Sequence, residues 1–208
     1  MKKKKNSNLN KIMMGLVAFI FIASSVAYVV LNRQDTGSQQ STNTLKLTYN
    51  NIEYSFERKQ SEGSLPYIEV TGGLVKFVTF YFPDALSNFP IDQASRDRLK
   101  SSSQFVIIFD PESLSPELMD MLRLDIRQNT PRLYSDAMIK QSDLYELPVM
   151  GCSDAAASGV VALNFIESNT TSIIDSGGCV NITYSSNPYE FYRLRDYIVY
   201  TMNGIDIA

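Results

Sequence analysis

Histidine is absent from all 208 residues. Without an imidazole, Ser-His-Asp and Cys-His catalysis and His-ligated zinc or haem sites are excluded, leaving carboxylates, Lys, Tyr, Ser and Thr as the only groups able to do acid, base or nucleophilic work. Glycine-rich phosphate loops are missing too. Gly72-Gly73 and Gly177-Gly178 are isolated pairs with neither GxGxxG nor GxxxxGK[ST] around them, and turns account for both. No internal repeat is visible. Only two cysteines occur, so a metal-binding or redox thiol cluster of CxxC type is ruled out.

What is present first is an uncharged run of twenty residues, Ile12 to Leu31, preceded by Lys2, Lys3, Lys4, Lys5 and Lys11. A helix of that length reaches about 30 Å, the thickness of a bilayer's hydrocarbon core. A basic cluster before the span and only Arg33 soon after it place the N-terminus in the cytoplasm and the rest outside. A cleavable signal peptide is the competing reading, since Ser25 and Ala27 fit a small-x-small rule before Tyr28. The run continues through Tyr28, Val29, Val30 and Leu31, a length that favours a retained anchor. Residues 1–11 are thus expected as a basic leader, 12–31 as a transmembrane helix and 32–43, containing QDTGSQQSTN, as a flexible stalk. Residues 44–208 are expected as one external domain, with membrane lipid as the partner of 12–31.

Taking the five leader lysines from the 19 basic residues leaves 14 against 22 acidic ones, so the external part carries a net charge of −8. Nucleic acid is a poor partner for such a surface, because phosphate neutralisation needs Lys and Arg. With 44% hydrophobic residues, 12 Tyr and 11 Phe, the chain has material for one substantial core.

The local patterns predict a mixed α/β layer domain: a central sheet with helices on one or both faces, α+β being the close variant. Leu45–Tyr49 and Ile52–Arg58 alternate around Asn50-Asn51, a hairpin signature. Tyr67–Val70 reads as an edge strand and Leu74–Phe82 as an aromatic strand stopped by Pro83. Asp92–Ser101 reads as an exposed helix, and Gln104–Phe109 (QFVIIF) as a central strand buried on both faces. Ser115-Pro116 opens a helix bearing Leu118, Met121, Leu122 and Ile126 on one face, and Leu133–Leu147 is expected as a second helix. Val160–Glu167, Ser172–Asp175 and Cys179–Tyr184 read as strands, with a hairpin turn at Asn169-Thr170. Asn187-Pro188 starts a last helix that Gly204 ends.

Cys152 and Cys179 are expected to form a disulfide, which in the chain-entropy picture stabilises the fold by about 3 kcal/mol. Asn169-Thr170-Thr171 and Asn181-Ile182-Thr183 match the N-glycosylation pattern, Asn169 being the better acceptor because it sits in a turn. Asp110 and Glu112 lie at the C-terminal end of the predicted central strand, where open α/β sheets hold ligands. The same residues also serve as ordinary turn and cap chemistry. Ser153 and Asp154 lack a base and read as a polar turn. Tyr189, Phe191, Tyr192, Tyr197 and Tyr200 read as core and rim of the last helix rather than a binding platform.

The succession of basic leader, single span, FYFPDAL, FVIIFDP, GCSDA, a second Cys and RLRDYIVYTMNGI resembles uncharacterised membrane-anchored proteins of archaea. That resemblance implies no activity, cofactor or functional residue. The sequence therefore leads to an interaction or assembly role at the cell envelope, with no cofactor and an envelope protein as partner. The alternatives are an envelope enzyme or cation-binding domain using Asp110 and Glu112, and a small-molecule sensor or transport accessory protein, which needs a large apolar pocket.

Overall fold

The computed structural model of the protein describes residues 44–60, 62–63, 65–113 and 116–207. The expected leader, apolar span and stalk, and the expected cap Ser115, lie outside the described residues. Among those described, no helix is long and apolar enough to cross a membrane. The expected mixture of strands and helices is found, but with two sheets instead of one central sheet.

The first sheet is an antiparallel meander of β1 (Thr44–Tyr49), β2 (Ile52–Lys59), β3 (Tyr67–Gly72) and β4 (Val75–Thr79), in that order. Asn50 and Asn51 take φ of 49° and 63°, the left-handed pair that a two-residue hairpin turn requires. Strand alternation sends Tyr54, Phe56, Ile68, Val70 and Phe77 inward. The outer face carries Lys46–Glu53, Lys59–Glu69 and Lys76–Glu69 pairs. Gly72 allows the ring of Tyr54 to lie across the backbone, since a Cβ there would stand 2.3 Å from Tyr54 Cδ1.

Two expectations are corrected in this sheet. β3 is an interior strand, because β4 returns through a tight turn and takes its free side. β4 stops at Thr79 rather than Phe82, because the Phe80 and Tyr81 N–H groups donate to the Asp196 carboxylate at 2.6 and 2.8 Å instead of to a neighbouring strand.

The second sheet is built from β5 (Gln104–Phe109), β6 (Leu133–Met138), β7 (Val161–Glu167), β8 (Ser172–Asp175) and β9 (Cys179–Tyr184). Its spatial order is β6-β5-β7-β9-β8, with β8 alone running antiparallel. As read from QFVIIF, β5 is central and buried on both faces. The helix expected over Leu133–Leu147 is instead β6 followed by an irregular loop. Its alternation is masked in the sequence by Asp136, a charged residue on an inward-turning position, which Arg123 and Arg127 of the preceding helix neutralise. The turn at Asn169 is not a hairpin either, because β9 is inserted between β7 and β8. The true hairpin joins β8 to β9 through Gly177, at φ 81°.

Four helices complete the described fold: α1 (Gln93–Ser101), α2 (Pro116–Asn129), α3 (Cys152–Ala157) and α4 (Pro188–Met202). Asp92 caps α1 by accepting from Ser95 N–H at 2.7 Å, and Asn187 caps α4 by accepting from Tyr189 N–H at 3.0 Å. α4 is more than the one-faced helix its Phe191, Leu194, Ile198 and Met202 spacing suggests. All its residues from Leu194 to Met202 are buried, because it lies between the sheets: Tyr200 meets Phe56 and Phe77 of the first, while Phe191 meets Tyr184 of the second. On the other face of the second sheet Val106, Ile108, Ala137, Ala162 and Cys179 form a smaller cluster with Ala155 of the short α3, against which Met150, Cys152 and Val160 pack.

Candidate functional site

Chain order along the second sheet decides where a cleft can form. From β5 the chain crosses through α2 to β6 on one side, then returns through α3 to β7 on the other side. The loops after β5 and β7 therefore part at their C-terminal ends, the switch point at which open sheets bind ligands. A cleft of about 450 Å³ lies there, lined by Asp110, Glu112, Ser113, Ile139, Asn164, Phe165, Ile166, Glu167 and Tyr184.

Asp110 and Glu112 do converge, and what they converge on is Lys140. Its ammonium lies 3.1 Å from Asp110 Oδ1 and 2.8 Å from Glu112 Oε2. Asp110 Oδ1 also accepts the Glu112 N–H at 2.9 Å, so the turn chemistry read from Asp-Pro coexists with the ion pairs. The hydrogen bond to Glu112, then that to Asp110, raises the Lys140 pKa above its usual value. Behind this rim, burial raises the Tyr184 phenol. Ser113 Oγ is buried without a hydrogen-bond partner of good geometry, although it lies near enough to the Tyr184 hydroxyl to temper that rise. Ile139 and Ile166 are the exposed apolar members of the wall. The site thus pairs an acidic, self-neutralised rim with a mixed floor. Among the described residues no three acidic or thiol side chains gather closely enough to hold a metal ion.

Cys152 and Cys179 form a disulfide with Cα atoms 5.3 Å apart. It joins the first residue of α3 to the first residue of β9. Asp154 accepts the Gly151 N–H at 2.8 Å and closes the first turn of α3, the polar role expected for the residues after Cys152. Asn169 is exposed in the loop between β7 and β8. Asn181 lies within β9, its Oδ1 accepting from Asn164 at 2.9 Å and its Nδ2 donating to Ser176 Oγ at 3.0 Å. Of the aromatic residues on α4, Phe191, Tyr197 and Tyr200 are buried, Tyr192 is half-buried against Phe80, and Tyr189 is exposed against Tyr81.

Sequence reasoning located Asp110 and Glu112 but missed Lys140, Asn164 and Tyr184. Lys140 fell inside the segment read as a helix; recognising β6 as the parallel partner of β5 would have put it at the same end of the sheet as Asp110. No protein family, curated protein or solved structure matches the chain.

Proposed function

We propose that the chain is a single-pass membrane-tethered protein whose external domain, residues 44–208, serves in recognition or assembly at the cell envelope through the cleft between β5 and β7. The observation that carries the reading is the disulfide between Cys152 and Cys179, since such bonds persist in oxidising compartments. The basic leader and the apolar run Ile12 to Leu31 supply a route to that compartment. A cleft with a charged rim and apolar wall residues suits binding.

The test has two readouts on intact cells. Added protease should cleave the domain while leaving the lysine-rich leader protected, and crosslinking should retain an envelope protein that a Glu112→Lys substitution releases. A domain that survives protease while the leader is cut reverses the orientation. A chain that stays alone under every crosslinking condition removes the assembly role.

One observation favours the second reading, cation binding: two carboxylates already share one positive centre. Lys140 stands where a cation would sit. Calorimetric titration with calcium or magnesium should give heat for Lys140→Gln and none for the native domain; equal heats from both would make the carboxylates a cation site in their own right.

A further inference from the structure

We infer that Asn169 is the N-glycosylated residue of this domain and that Asn181, although its sequence pattern is equally good, stays unmodified. The inference rests on the export reading above, because the modifying machinery faces the same side of the membrane as the disulfide.

The two acceptors differ in what the fold asks of them. To be modified, an asparagine and the two residues after it must enter the active site of a membrane-bound transferase. Asn169, Thr170 and Thr171 lie between the end of β7 at Glu167 and the start of β8 at Ser172, outside both ladders. One end of this loop is pinned by Ser168 N–H to Tyr184 O at 2.8 Å, and inside it Thr170 N–H reaches Ser168 Oγ at 3.3 Å. The Asn169 side chain is exposed and makes no hydrogen bond to the described residues. Thr171 Oγ1 is buried with no partner, so drawing Thr171 outward costs its hydroxyl no hydrogen bond and gives it access to water.

Asn181 is held on every side. Its strand pairs with β7 through Asn164 and with β8 through Ile174, so presenting it to an enzyme means dismantling both ladders. Its amide is the link between Asn164 and Ser176, and Thr183, two residues on, is tied to Ser172 Oγ at 2.8 Å. Cys179, two residues before it, is fixed by the disulfide.

The donor is an oligosaccharide joined at C1 to a polyprenyl phosphate or pyrophosphate. Asn169 Nδ2 forms the new bond to C1 as the C1–O bond to phosphate breaks; the lipid phosphate leaves with the electron pair, and the amide proton passes to the transferase or to solvent. No oxidant or reductant is needed. Asn169 follows Glu167, a residue of the cleft wall, by two residues.

The experiment is mass spectrometry of the full chain, made in cells in which an exported reporter is shown to carry N-glycans, with disulfide state and protease accessibility read on the same sample. One glycan is expected, lost entirely in Asn169→Gln and untouched in Asn181→Gln. A bare Asn169 in chains that are disulfide-closed and cut by external protease overturns the inference and leaves the export reading standing, as does a glycan found on Asn181. Free thiols in a protease-protected domain overturn the export reading itself.

Discussion

At Arg195 and at Lys140 the fold sets two carboxylates around one cation, and these two clusters share almost nothing else. Arg195 donates from Nε to Asp125 at 2.9 Å and from Nη1 to Asp196 at 2.7 Å, and it also reaches the Val78 carbonyl; the Arg195 and Asp196 side chains are 2% and 0% exposed. Lys140 meets Asp110 and Glu112 at similar distances with exposures of 43%, 36% and 64%. In the first cluster Arg195 and Asp196 are taken from water and must be satisfied by protein, so removing either strands the other, while Asp125 keeps an exposed edge. In the second, water stands ready to replace any member. The same charge pattern is therefore structure where it is buried and surface chemistry where it is open.

Removing the cation from each cluster is the largest test of this contrast. Arg195→Met should lower the free energy of unfolding by about 3–5 kcal/mol, because Asp196 is then left buried and unpaired. Urea denaturation measures it, and a loss no larger than that of a surface ion pair would erase the distinction between the clusters. Replacing Cys152 and Cys179 together by serine should cost about 2–4 kcal/mol, from the unfolded chain's gain in freedom. That loss should be additive with Arg195→Met, since the disulfide joins α3 to β9 and the arginine joins α4 to the first sheet.

Titration separates the clusters next. Burial outweighs Arg195 and the Phe80 and Tyr81 N–H groups and pushes the Asp196 pKa up from 3.8 to about 6. Its folded value lies above its unfolded one, so the contribution of this group to stability is complete below pH 3.8 and fades as the pH climbs through about 6. The stability difference between the native domain and Asp196→Asn should accordingly shrink from pH 4 to pH 7 and then level off. A difference that grows over that range would mean that the hydrogen bonds, not burial, set the ionisation. The smallest effect belongs to Lys140→Gln, which should leave the denaturation midpoint in place while altering the cleft's affinity for cations.

The contrast also explains how far the sequence could be read. Asn50-Asn51, the helix start at Asn187-Pro188, QFVIIF and the cysteine pair all act within a few residues or through unmistakable composition, and each was legible. Asp136 and Asp196 were not, because a buried carboxylate is intelligible only with its partners: the Arg123 of Asp136 sits thirteen residues away, and the Phe80 and Tyr81 N–H groups that Asp196 accepts from sit 116 and 115 residues away. Two residues of the candidate site were visible for the same reason. Asp110 and Glu112 follow a strand recognisable by its own residues; Lys140 reaches them only through the parallel register of β5 and β6, which no local pattern displays.

The Cys152–Cys179 bond encloses α3, β7 and β8 within one covalent ring. A single scission of the chain inside that ring, at the exposed Asn169 loop for instance, yields two polypeptides that still travel as one molecule, and only a reductant would part them.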